Sequence, residues 1–253
     1  MRLTGHHAIV TGGGTGIGAA IAHALAAEGA KLTLVGRRVE PLRLTAARLD
    51  AATIAAADVT NRGQVEAAFA SAREAHGPIT ILVNNAGAAE SAPFVKVTAE
   101  AWRRTLAVNL DALLHCCQAA LPNLLAAAAG RIVTVSSTAG LKGYAYTAPY
   151  VAAKHGAVGL TRALAAEFAR TSLTVNAVCP GFTDTELVAG AVARIEAKTA
   201  RSEQEARAEL SRFNPQGRLV TAEEVAAAVL WLCLPESGSI NGQAIAVAGG
   251  EVM

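Results

Sequence analysis

Two residues four positions apart hold the clearest chemical promise in this sequence: Tyr150 and Lys154, in Pro149-Tyr150-Val151-Ala152-Ala153-Lys154. Pro149 suits a first helical turn, because its missing N–H would go unpaired there and its φ is already helical. The residues from Val151 to Leu164 are mostly small and apolar, so this helix can pack closely on more than one side. A spacing of four puts the phenol and the ammonium on one helical face. A free tyrosine titrates near ~10 and is a poor base at neutral pH. A nearby cation and the positive end of a helix dipole both favour the phenolate. The pair therefore predicts a lowered phenol pKa and a proton exchanged with an alcohol or ketone oxygen. Alone it is weak, since Tyr and Lys often share a helix face without consequence.

The elements that must position this pair alternate along the whole chain. Short β-branched runs predict strands over 8–11, 31–35, 53–57, 79–83, 131–136, 173–179 and 243–247, most of them almost wholly apolar, as parallel strands covered on both faces are. Alanine-rich patterns between them predict helices over 16–28, 39–49, 62–76, 98–125, 148–170 and 221–232. This βαβ alternation predicts an α/β fold, a doubly wound parallel sheet of Rossmann type with about seven strands, as a single domain over 1–253. One region breaks the rhythm. Residues 183–219 show a charged helical pattern instead of a strand, just after the sixth strand. Ligands in open α/β sheets bind beyond the carboxyl ends of strands, so this segment is expected to form a lid over substrate.

A nucleotide site is written into the first two βα turns. The first strand runs into Thr11-Gly12-Gly13-Gly14-Thr15-Gly16-Ile17-Gly18. Glycines there allow a tight turn, let the backbone approach a pyrophosphate, and let the helix pack on the strand with its N-terminus toward the phosphates. Gly12, Thr15, Gly16, Ile17 and Gly18 are the expected contacts. The second strand ends at Val35-Gly36-Arg37-Arg38, where an NAD site usually carries an acid for the ribose hydroxyls. Two guanidinium groups would instead grip a 2′-phosphate, so Arg37 and Arg38 favour NADP, with NAD as the alternative. Asp58-Val59 fits an adenine edge contact, Asp58 being otherwise a turn or helix-entry residue. Asn84-Asn85-Ala86-Gly87 offers small residues against which a cofactor can lie, or an ordinary β-turn.

Composition narrows the class. A net charge of +2 is too near balance to argue for nucleic acid or an anionic membrane. Apolar residues at 52% against 17% charged suggest that much of the surface is covered, as by subunit contacts. The N-terminus has no signal-peptide pattern, and the longest apolar stretch, 119–135, is broken by Pro122, Asn123 and Arg131. Cys116, Cys117, Cys179 and Cys233 form no C-x-x-C pair and read as buried reduced thiols, so a cytoplasmic protein with no metal site is expected.

Taken together, the residues resemble the short-chain dehydrogenase/reductase family over nearly the whole chain. The motifs are Thr11-Gly12-x-x-x-Gly16-Ile17-Gly18, Asn84-Asn85-Ala86-Gly87, Asn109, Ser136-Ser137, Tyr150-x-x-x-Lys154 and Pro180-Gly181. The resemblance implies an NAD(P)-dependent oxidoreductase with Tyr150 as proton donor or acceptor. It implies that Ser137 stabilises the substrate oxygen, that Lys154 lowers the pKa of Tyr150 and binds the nicotinamide ribose, and that Asn109 holds a relay water. The residues themselves leave Ser136 and Ser137 open, since both end the fifth strand; the family's spacing picks Ser137. Asn85, Ala86 and Gly87, with Tyr150, Lys154, Pro180, Gly181, Thr183 and Thr185, are implied cofactor contacts, Thr185 serving equally as a helix cap. Asn176 stabilises the local backbone or is a satisfied buried amide.

The substrate is less legible. Thr138, Leu141, Tyr144, Tyr146, Phe182, Leu187 and Phe213 lie near strand ends or in the lid, and their apolar, aromatic character suits a ketone or acyl chain better than a sugar. The chain looks similar to 3-oxoacyl-thioester reductases, polyketide ketoreductases and 3-hydroxybutyrate dehydrogenases. Ala89 and Thr147 stand where the last would hold a free carboxylate with polar side chains, so a free hydroxy acid is disfavoured. Arg194, Lys198, Arg201 and Arg207 would meet the phosphates of a coenzyme A or carrier-protein thioester, or form a solvated face. The expectation is NADPH-dependent reduction of a 3-oxoacyl thioester or similar hydrophobic ketone, probed against an NAD-linked secondary-alcohol or 3-hydroxyacyl-CoA dehydrogenase and against an inactive nucleotide-binding subunit. A homotetramer is expected from the family and from the apolar faces of 98–125 and 148–170.

Overall fold

A computed structural model describes residues 1–199 and 202–252; the side chains of Leu187, Arg194, Ile195, Ala197 and Lys198 lie outside the described set, as do Ala200, Arg201 and Met253. Seven parallel strands form one sheet: β1 (His7–Thr11), β2 (Lys31–Gly36), β3 (Ala52–Ala56), β4 (Ile81–Asn84), β5 (Arg131–Val135), β6 (Thr174–Pro180) and β7 (Ala244–Val247). The order is β3-β2-β1-β4-β5-β6-β7. The chain therefore reverses its winding between β1 and β4, and a crevice opens beyond their carboxyl ends. Val10, paired with both Leu34 and Val83, sits at this switch. The strands of the middle of the sheet are buried along their length, which their unbroken apolar runs require.

Helices cover both faces. On one side α1 (Gly16–Ala27) packs with α9 (Ala222–Cys233) over Leu25, Leu34, Val83, Val178 and Val229. On the other, α3 (Arg62–His76) and α5 (Ala112–Ala126) bury Phe69, Leu82, Cys116 and Leu124 against the sheet. The remaining helices are α2 (Val39–Ala46), α4 (Ala99–Leu106), α6 (Ala148–Glu167), α7 (Glu186–Thr199) and α8 (Glu203–Ser211). Among the described residues no helix is long and apolar enough to cross a membrane.

The fold differs from the sequence expectation in one instructive place. The helix expected over 98–125 is present, but α4 and α5 are joined through a π-helical turn, Ala107–Asp111, that buries Asn109. A π turn inserts one extra residue per turn and is common beside functional sites. Pro122, by contrast, sits inside α5 without ending it. Within segment 183–219 the expected helical pattern is met by α7 and α8. They share a small core of Val188, Val192, Ala206 and Leu210 with Phe182 and Leu219 packed on it. A single parallel bridge, Thr183 to Val220, closes the base of this segment.

Candidate active site

Stretches that follow the ends of β1 to β6 converge on one cavity of about 940 Å³ beyond the carboxyl edge of the sheet. The turn after β1 forms its floor. Gly12 has φ 65°, a conformation that favours glycine, and a Cβ there would stand 2.9 Å from Asn85 Nδ2. A Cβ on Gly18 would lie 2.1 Å from the Gly12 carbonyl oxygen, so α1 can seat this close to the turn only without a side chain. Thr15 precedes α1 in extended conformation and makes no side-chain cap, which leaves the first amides of the helix to face an anion. The loop is held by its neighbour strand: Thr11 Oγ1 accepts hydrogen bonds from the amides of Asn85 (2.9 Å) and Ala86 (3.0 Å), and Asn85 Nδ2 donates to the Thr11 carbonyl (2.9 Å).

At the far end of this floor lie Arg37, Arg38, Asp58 and Val59. Arg38 reaches across to Glu186 at the start of α7, at 3.1 Å, both side chains being largely exposed. Asp58 Oδ1 accepts from the Thr60 amide (2.9 Å) and hydroxyl (2.7 Å), so its carboxylate holds the turn into α3. Burial opposes ionisation of Asp58, but these bonds and the charge of Arg37 outweigh it and lower its pKa. The cavity walls also carry Ile17, Gly16, Ala86 and Gly87, with Pro180, Gly181, Thr183 and Thr185 from the end of β6. Thr185 Oγ1 donates to the Thr183 carbonyl at 3.2 Å and its methyl packs on Gly16, so it ties the β6 segment to the glycine turn. Asn176 is a satisfied buried amide that donates to the Ile240 carbonyl (2.7 Å) and accepts from the Gln243 amide (3.0 Å).

Ser137, Tyr150 and Lys154 meet at the centre of the cavity wall. Pro149 lies in the first turn of α6, and the buried face of that helix, Ala153, Lys154, Ala157 and Val158, turns Lys154 inward. The Ser137 hydroxyl lies near enough to the Tyr150 phenol to favour its ionisation, and its Oγ accepts from the Ala139 amide at 3.1 Å. Geometry separates the two serines: Ser136 Oγ donates to the Lys154 carbonyl (3.2 Å), which occupies it in the backbone, and Ser137 faces the cavity. Lys154 Nζ donates to the Val135 carbonyl at 3.0 Å and stands 5.6 Å from the centre of the Tyr150 ring. Asn109 lies behind the wall. Its Nδ2 donates to the carbonyls of Ala88 (2.8 Å) and Thr105 (3.0 Å), and its Oδ1 would touch a Cβ on Gly87 at 2.8 Å.

The electrostatics differ from the sequence expectation of a lowered phenol pKa. Burial dominates both groups. It pushes Tyr150 up to about 12, against the lowering effect of the nearby Ser137 hydroxyl, and pulls Lys154 down to about 8. Removing either charge from water costs more than the partners return. Tyr150 is therefore a neutral phenol at neutral pH.

The opposite end of the cavity is aromatic. Tyr144, Phe182 and Phe213 form a cluster with centroids 5.4–6.1 Å apart, and Thr138 Oγ1 lies 2.6 Å from the Tyr144 hydroxyl. Tyr146 also lines the cavity, at the strained φ of 66° and with its carbonyl accepting from the Ala92 amide at 2.8 Å. Leu141 does not belong here: its side chain packs on Val158, Ala177 and Cys179 under the sheet, because the turn after Gly140 faces it away from the cavity. Leu187, Arg194 and Lys198 (by side chain) and Arg201 lie outside the described residues. Arg207 is occupied by Asp184 (3.0 Å) and Glu203 (3.4 Å). The sequence reading missed Lys142, which lines the cavity, and Glu251 behind it. The four cysteines are buried free thiols, and among the described residues no His, Cys, Asp and Glu cluster is arranged to hold a metal.

Comparison with known proteins agrees with this geometry. Residues 6–196 match the family profile described as short chain dehydrogenase. A Streptomyces coelicolor protein with the provisional name ketoacyl reductase is 37% identical over 249 residues, 96% of this chain and 95% of that protein. The 3-oxoacyl-[acyl-carrier-protein] reductase of Vibrio cholerae is 34% identical over 254 residues and the full length of both. A crystal structure of an actinorhodin polyketide ketoreductase variant with NADPH superposes with a TM-score of 0.94 at 35% identity, covering 99% of this chain and 98% of that one. The glycine-floored cavity fits a nicotinamide dinucleotide: Gly12 and Gly18, where a Cβ would meet Asn85 and the turn itself, let α1 seat closely with its uncapped amides toward the cavity. The chain belongs to the short-chain dehydrogenase family, as an NAD(P)-dependent oxidoreductase that interconverts a ketone and a secondary alcohol.

Proposed function

We propose that this protein is an NADPH-preferring ketoreductase whose substrate is a hydrophobic ketone, best matched by a 3-oxoacyl thioester of coenzyme A or a carrier protein. The observation that carries this reading is the convergence of Ser137, Tyr150 and Lys154 on a cavity that also holds the glycine turn, two arginines and the Tyr144–Phe182–Phe213 cluster. Arg37 and Arg38 would hold the 2′-phosphate. The glycine turn and the amides of α1 would hold the pyrophosphate, and Thr183 and Thr185 the carboxamide side of the nicotinamide. When bound, the nicotinamide supplies the hydride.

The chain supplies orientation and a proton. Tyr150, protonated at neutral pH, donates its proton to the carbonyl oxygen as charge gathers there. Ser137 donates a hydrogen bond to the same oxygen, an oxyanion-stabilising role. Lys154, an ammonium beside the Tyr150 ring, stabilises the phenolate left behind. Asn109 positions Ala88 and would hold the relay water through which a proton returns toward Lys154 from solvent. Helices α7 and α8 close over the substrate, their shared core anchored on Phe182.

Binding of each reduced cofactor, followed by turnover of acetoacetyl-CoA, tests the reading. NADPH is expected to bind at least about tenfold more tightly than NADH, with the difference lost in the Arg37→Ala/Arg38→Ala variant. Tighter binding of NADH supports the second reading, an NAD-linked alcohol dehydrogenase. One observation favours that alternative: Arg38 is already paired with Glu186, and a 2′-phosphate must displace this contact.

A further inference from the structure

The last described residues of the chain reach back to the substrate end of the cavity. Glu251 follows β7 in no regular element, and its side chain is 1% exposed. Its Oε1 accepts a hydrogen bond from the Tyr144 hydroxyl and lies 3.1 Å from Lys142 Nζ. Lys142 Nζ also contacts the Glu251 carbonyl oxygen, at 3.4 Å. The ammonium stands 5.0 Å from the centre of the Tyr144 ring and 6.0 Å from that of Phe213, on the cavity side. The carboxylate is thus sealed behind the wall and the cation it balances faces the substrate.

Two observations say that the charge of Glu251 has a purpose other than stability. Its Oε2 is buried and has no hydrogen-bond partner among the described residues. Stability alone favours an uncharged residue at such a site, because a buried carboxylate with an unsatisfied oxygen carries a desolvation cost. Gly181 makes room for it: a Cβ there would stand 2.8 Å from Oε2, and no positive φ explains the glycine. Another cation lining the cavity, Arg212, which lies 5.4 Å from the Phe213 ring, is paired with Glu209 at 2.6 Å in a more exposed contact.

We propose that Glu251 is a specificity-determining residue: by neutralising Lys142 on the wall of the carbonyl pocket, it keeps the pocket selective for uncharged ketones over ketones bearing a free carboxylate. The assignment rests on the reading of this cavity as a ketone site. A substrate carboxylate entering the native pocket is desolvated and finds Lys142 and Arg212 already paired. Without the charge at position 251, the Lys142 ammonium becomes an open partner for it.

Ethyl acetoacetate and acetoacetate share one carbon skeleton and differ in charge, so the ratio of their kcat/KM values reads this selectivity in the full-length protein with NADPH. Glu251→Gln keeps an oxygen to accept from Tyr144 and is expected to move the ratio about tenfold toward acetoacetate, chiefly through KM, as one charge-assisted hydrogen bond gained implies. Lys142→Met is expected to move it the other way, and the double variant to return it near the native value. A ratio that changes less than twofold in Glu251→Gln, or that moves in the same direction in both single variants, overturns the assignment. Calorimetric binding of the two compounds to the NADP⁺-loaded protein gives the same ratio without turnover. A shifted binding ratio with no turnover by the native protein sinks the ketoreductase reading and supports the role of Glu251; turnover with an unshifted ratio sinks the role of Glu251 alone.

Discussion

Desolvation holds Tyr150 as a phenol, with a pKa near about 12, and leaves Lys154 an ammonium with little to spare, at about 8. Reduction in the proposed mechanism uses both groups in their protonated forms. Because Lys154 is the first to lose its proton as pH rises, kcat/KM for ketone reduction is expected to be level below pH about 8 and to fall above it, as deprotonation removes the cation that stabilises the forming phenolate. A pH–rate profile that stays flat to pH 10, or rises, contradicts this. At this scale the sequence was informative about identity and poor about environment. Tyr150 and Lys154 stood out by their spacing, but the direction of the Tyr150 shift depends on burial, which spacing does not encode. Ser136 and Ser137 are adjacent and alike in sequence, and only the bond from Ser136 to the Lys154 carbonyl tells them apart. Leu141 looked like a pocket residue because its neighbours are, and the backbone turns it into another cluster.

Elements carry the second layer, and the base of the sheet shows how. At the start of β1, His7 Nδ1 donates to the Gly77 carbonyl (2.9 Å) past the end of α3, and the Thr33 hydroxyl on β2 then donates to Nε2 (2.9 Å). The bond to the Gly77 carbonyl favours the protonated ring, but burial outweighs it. Burial first, then the charges of His76 and Lys31, pull the pKa of His7 from 6.5 to about 4. A depressed folded-state pKa stabilises the fold above the unfolded value, so this contribution is complete above pH 6.5 and is lost as pH falls toward 4. Its size is at most about 3 kcal/mol. Urea unfolding of the native protein at pH 7 and pH 4.5 is expected to show a drop that the His7→Gln variant reduces by about 2 kcal/mol; equal drops in both proteins contradict the assignment. Strand positions were legible because fully buried parallel strands are continuous apolar runs, and helix starts because of Gly16, Asn61, Thr98 and Thr221. The π turn at Ala107–Asp111 was not, since AVNLD continues the helical pattern on either side. Ser202 and Glu205 form a capping box that marks α8, a signal present in the sequence as S-x-x-E.

For the whole molecule, the sheet order and the cavity at the switch between β1 and β4 follow from the βαβ alternation and the glycine turn, which is why the fold was predictable end to end. The tail was not: Glu251 follows β7 with no periodicity or motif to announce that it folds back on Tyr144. The surface retains large apolar side chains, among them Phe94, 71% exposed, and Val95, 92% exposed, with Trp102 on α4 and Leu114 on α5 also exposed. The protein is expected to sediment as a homotetramer at micromolar concentration, and a monomer under those conditions contradicts that expectation. The account as a whole depends on a proton that leaves Tyr150 while the nicotinamide carries the electrons. Its most direct test is acetoacetyl-CoA reduction by the Tyr150→Phe variant under saturating NADPH, with NADPH affinity measured on the same sample. The account predicts a loss of at least about 10²-fold in kcat with NADPH bound within about threefold of native affinity; reduction at the native rate by a cofactor-loaded variant contradicts it.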